Sequence, residues 1–155
     1  MGLLDRWRRR GEDEDGSTDA ELTDVAPVDE VRTRPLDAEE EARLEASRLR
    51  YGSYEIDPAD LSSIGNAWER AIARDEHDAA AEIVTVVSTA IGDHLVGQGY
   101  RWVVSTDPYG TDLAVEPPRR GVPVVVRTLV AVRWMARQQG WVESVVGHLV
   151  RSANR

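Results

Sequence analysis

Four side chains of this sequence could do chemistry together. His94 stands beside Asp93 on the apolar side of a periodic run, and Asp107 and Asp112 frame the later stretch DPYGTD. An imidazole met by carboxylates is the arrangement of a general base or a metal ligand, because the carboxylate orients the ring and raises its basicity. Against this, a histidine at a helix–sheet border is usually satisfied by its own fold. The spacing also matches no loop that specifies a metal, since a calcium loop alternates Asp or Asn. A second group is Asp107, Tyr109, Asp112, Arg119 and Arg120, read here as two neighbouring turns forming one exposed end. Exposed Tyr and Arg are the residue types that anchor binding faces. The plain alternative is a turn in which Asp107 bonds its own backbone while Asp112 opens the next strand. The reading preferred is a turn at the rim of a recognition surface, with no catalytic residue, metal or cofactor assigned. His77, among Asp75, Glu76 and Asp78, reads as a solvated helix start, and His148 as an outward residue of the last helix.

Composition narrows the function classes. The 155 residues suit one domain. A net charge of −9 argues against nucleic acid, whose phosphates need a basic face. There is no cysteine, hence no disulfide, thiol nucleophile or thiolate metal site, which fits an expectation of a reducing cytoplasm. All 19 basic residues are Arg, which removes Schiff-base lysine chemistry and the phosphate-loop lysine. No Gly-rich phosphate loop, G-x-S-x-G elbow or H-E-x-x-H is present. No run of about 18 apolar residues spans a membrane. The opening residues lack the apolar core of a secretory signal.

The elements that must position these groups can be read in order. Gly11 to Glu30 holds nine acidic residues and no basic one, so residues 1–34 are expected to be a disordered acidic tail. Within it, Leu3, Leu4 and Trp7 beside several Arg carry a membrane-surface signal, and Leu22, Val25, Val28 and Val31 the spacing of an extended docking peptide. A single α+β domain is expected over 35–155. Asp37 with Glu40 forms a capping box for a first helix whose inward stripe is Leu44, Ser47 and Tyr51. Asp57 and Pro58 open a second helix, with Leu61, Ile64, Trp68 and Ile72 inward. The third helix starts near Asp75 and Asp78, carries Ala80, Ile83, Val84, Val87, Ile91 and Leu95 inward, and ends at Gly97 and Gly99. The period then changes from 3.6 to 2. YRWVVST, TDLAVEP and VPVVVR read as three antiparallel strands, the first two joined by DPYG as a type I turn. A helix through Leu129, Val132, Trp134 and Met135 and another through Val142, Val145, Val146 and Leu149 complete an α+β fold, helices on one face of a small sheet.

The order of parts in IGDHLVGQGYRWVVSTDPYGTDLAVEPPRRGVPVVVRTLVAVRWMARQ resembles an uncharacterised bacterial family, domain of unknown function 3806, over Ile83 to about Gln138. The resemblance implies a small α+β domain and no assigned reaction. Three functions are carried forward. The first is a non-enzymatic cytoplasmic interaction module for a protein partner, a basic one being the concrete version. The second is a small enzyme or metal-binding domain centred on His94 with Asp107 and Asp112. The third is a peripheral membrane protein held by Leu3, Leu4 and Trp7.

Overall fold

Asp37 starts the first helix as its sequence demands. In the computed structural model, which describes residues 30–74 and 78–155, its carboxylate accepts the Glu40 backbone N–H at 2.8 Å and the Glu40 carboxylate accepts the Asp37 N–H at 2.8 Å. That reciprocal cap opens α1 (Ala38–Arg48). Leu44 and Ser47 are buried, and a single 3₁₀ turn, Tyr51–Tyr54, follows. The acidic tail, the Leu3–Leu4–Trp7 segment, Leu22, Val25, Val28 and His77 lie outside the described residues.

Helix α2 (Leu61–Arg74) begins later than Asp57 and Pro58 suggest. The carbonyl of Pro58 is turned to the His94 ring, with Nδ1 2.9 Å away. Asp60, in place of Asp57, accepts the Ser62 N–H at 3.0 Å, and the single Ser63 hydroxyl proton is shared between the carbonyls of Asp57 and Asp60, 2.8 and 2.7 Å away. The turns before the helix are therefore closed locally. Ile64, Trp68 and Ile72 are buried as the period predicts.

Helix α3 (Ala80–Gly97) is the core element. By length and composition it could cross a bilayer, and Ile83, Val84, Val87, Ile91 and Leu95 are buried within the protein. Gly99, at φ +106°, ends it, and the Tyr100 N–H donates to the Leu95 carbonyl at 3.0 Å.

Strands β2 (Arg101–Asp107) and β3 (Gly110–Glu116) form a hairpin in which Asp107 faces Gly110, Val104 faces Leu113 and Trp102 faces Val115. The third strand is not VPVVVR. It is β1 (Arg32–Arg34), antiparallel to β2 on the other edge, giving the order β1-β2-β3. Of the expected strand only a Val115–Val124 bridge survives, because Val126 already begins α4 (Val126–Met135). Residues Arg32–Arg155 form one compact unit, which takes in β1 ahead of the boundary expected at residue 35. The inward side of α4 also differs: Val126, Val130 and Trp134 are buried, whereas Val132 and Met135 are exposed.

Helix α5 (Val142–Ala153) buries Val142 and Val146. It brings Trp141 edge-on to Trp68 at 5.3 Å between ring centroids, with Trp134 on Trp68 at 5.6 Å. The Trp68 indole donates to the Gln138 carbonyl at 2.7 Å, so the core tryptophan leaves no polar atom unpaired. Among the described residues the architecture is α+β: five helices with a three-stranded antiparallel sheet.

Candidate functional site

The polar centre of the molecule is Asp93, one residue from where the sequence points. α3 presents it towards α1 and β2. Arg48 donates to it twice, Nε to Oδ2 at 2.8 Å and Nη2 to Oδ1 at 2.7 Å. The Tyr51 hydroxyl donates to Oδ2 at 2.7 Å and the Trp102 indole to Oδ1 at 3.0 Å. Four donors on two oxygens use the acceptor capacity of a carboxylate, so Asp93 is no free base. Its role is to join α1, the 3₁₀ turn, α3 and β2. Sequence reasoning placed Asp93 only as a neighbour of His94 and missed Arg48, Tyr51 and the indole N–H of Trp102. The one usable signal was a carboxylate set within an apolar helix, which demands partners.

Burial alone would raise the Asp93 carboxyl, but the bonds from Arg48, Trp102 and Tyr51 together outweigh it and hold it below the ordinary value. Glu40 is lowered from 4.5 to about 2, first by the Arg34 guanidinium, whose two nitrogens donate to it at 2.7 and 2.9 Å, then by the Asp37 N–H. Both folded-state values are depressed: the Glu40 contribution is complete above about 4.5 and is lost as pH falls towards about 2, and that of Asp93 is lost in the same direction, on acidification. Thermal melts followed by circular dichroism are expected to show the midpoint dropping through that window. Glu40→Gln should flatten the drop, and a wild-type midpoint constant across it would contradict the assignment.

The constellation around His94 does not assemble. Its ring is held against the Pro58 carbonyl. Strand β2 leaves the C-terminal end of α3 and carries Asp107 away along roughly 20 Å of extended chain. Among the described residues no group of three His, Cys, Asp or Glu side chains could hold a metal ion. His148 is within 3.4 Å of the Ser152 hydroxyl one turn on.

The hairpin group splits in two. Asp107 accepts the N–H groups of Tyr109 at 2.7 Å and Gly110 at 3.1 Å, closing the turn, while Asp112 accepts the Leu113 N–H at 2.8 Å. Asp107, Tyr109 and Asp112 then line one shallow depression of about 160 Å³ with Val125 and Thr128 of the α4 approach. Arg119 is not there. It stands with Gly99, Arg101 and Glu116 at the opposite end of the hairpin, and Arg120 follows it in the same loop. The expected single exposed end is corrected accordingly: seven-residue strands separate the two turns.

What the depression does adjoin is α4. Thr128, Val132 and Met135 recur at helical spacing on its exposed side, and Thr128 borders Tyr109. Tyr109 is 97% exposed, Val132 58% and Met135 83%. These side chains form a line from the hairpin tip along the helix, flanked at one end by Asp107 and Asp112.

No curated protein and no solved structure matches the chain. A family model does, over residues 60–144, from the turn before α2 to the first residues of α5, wider at both ends than the resemblance in the hairpin region. That match takes in more than half of the sequence and all of the hairpin and α3, and the chain belongs to the family described as Domain of unknown function (DUF3806).

Proposed function

We propose that the chain is a non-enzymatic, cytoplasmic interaction module that binds a protein partner through the face running from Tyr109 to Met135. The observation that carries this reading is the exposed line of Tyr109, Val132 and Met135. Large apolar side chains grouped on one face, with a tyrosine at the end, are the material of interface anchors. Asp107 and Asp112 at one end, on a chain of net charge −9, fit a partner with an apolar centre and a basic rim.

A photo-crosslinking residue at Tyr109 or Met135 is expected to capture one partner chain in cells, and the same residue at Glu41 on α1 is not. With that partner purified, Val132→Asp with Met135→Asp should weaken binding by about 2 kcal/mol or more. The melting temperature should barely change, because both side chains are already in water. Raising the salt should slow association. Equal capture at Glu41, or affinity indifferent to both aspartates, would count against the face.

A further inference from the structure

A second concavity lies between α1, α3, the hairpin and the start of α4. It has a volume of about 120 Å³, and Leu44, Trp102, Leu113 and Val126 give it apolar lining. Thr85, Ser88 and Thr89 of α3 also line it. Each donates its proton to a carbonyl one turn back, those of Ala81, Val84 and Thr85, and so presents lone pairs only. Ser47 of α1 differs. It lines the same cleft, is only 7% exposed, and its hydroxyl makes no hydrogen bond among the described residues. Among the described residues the enclosed side-chain atoms without a partner are Arg133 Nε and Trp141 Nε1, so the Ser47 hydroxyl faces the open cleft.

The charges at the cleft are unequal. Arg43 has Glu40 at 3.9 Å, but Glu40 is already taken by Arg34 at 2.7 Å. Arg127 has no ion pair among the described residues. Asp112 is the carboxylate among the lining side chains, and its Oδ1 accepts the Leu113 N–H. Two guanidinium groups against one carboxylate leave the cleft positive. The N-terminus of α4, which has no side-chain cap, adds to the same sign.

We propose that this cleft binds a small one-ring organic carboxylate. A cavity of about 150 Å³ lined by apolar side chains takes a benzene ring, so this smaller, open one suits a ring lying on Trp102 and Leu113 with its carboxylate outside among Arg127 and Arg43. The site is separate from the partner-binding reading and is tested on the isolated full-length protein.

The probe is benzoate, followed by the Trp102 indole N–H signal in nitrogen-15 NMR, that signal being identified by its loss in Trp102→Phe. Benzoate is expected to shift it saturably in the millimolar range, and benzylamine, of opposite charge, is not. Arg127→Gln should weaken benzoate about tenfold, Asp112→Asn should tighten it, and Ser47→Leu, which fills the cleft, should abolish it. Melting temperatures show whether each variant folds; if Ser47→Leu does not, the charge series decides. No saturable shift with benzoate, benzylamine binding equally well, or a folded Arg127→Gln protein with unchanged affinity overturns the proposal.

Discussion

Asp93→Ala is expected to lower the unfolding free energy by about 3 kcal/mol, measured by urea titration with circular dichroism. The size follows from what is left behind. Removing the carboxylate strands the Arg48 guanidinium, the Tyr51 hydroxyl and the Trp102 indole N–H in a half-buried place. Breaking a buried ion pair from one side costs roughly 3–5 kcal/mol. The lower end applies because Arg48 keeps 32% of its side-chain surface in water and can rehydrate in part. Glu45, which also accepts from Arg48, offers a second partner but lies on the exposed side of α1. Against a total stability of about 5–15 kcal/mol, the loss is large. Arg48→Met in the same background should recover part of it, since the stranded charge is then gone. If Asp93→Ala costs no more than an exposed pair, below about 1 kcal/mol, the cluster is ornamental to stability.

Gly92→Ala should destabilise by about 2 kcal/mol, and the sign is the point. Alanine for glycine inside a helix ordinarily gains about 0.5–1 kcal/mol. Here a methyl group would overlap the Trp102 ring atoms Cζ2 and Cη2. Either the indole moves and loses its bond to Asp93, or α3 and β2 part, and over-packing of this kind costs about 1–3 kcal/mol. Adding Trp102→Leu removes the overlapping ring, so the double variant should suffer little further from the added methyl. A Gly92→Ala protein more stable than the parent would show that the indole has free room on α3.

Both results concern a part of the fold that a linear reading could not reach. Periodicity delivered the inward residues of α2 and α3, Asp37 with Glu40 delivered the cap, and DPYG delivered the hairpin. Each of these is written within a few neighbouring positions. Arg48 and Tyr51, in contrast, meet Asp93 from 45 and 42 residues away, and nothing local marks either as its partner. The strand β1 was invisible for another reason: RTR has no apolar alternation, and all three residues are exposed. VPVVVR failed in the opposite direction, since a short apolar run fits a strand or a buried helix start equally well. On α4 the valines outnumber the inward places, which is why Val132 and Met135 were assigned to the core and are found outside it.

The reach of Asp93 also sets where the chain can be cut. The family model covers residues 60–144, so a fragment made to that span would retain Asp93 and Trp102 but lose Arg48 and Tyr51, and with them three of the four donors to the carboxylate. It would lose Val146 from the core as well. The segment of shared sequence and the segment able to stand alone are therefore different lengths of this chain, and a stable excised domain has to begin ahead of α1 and keep all of α5.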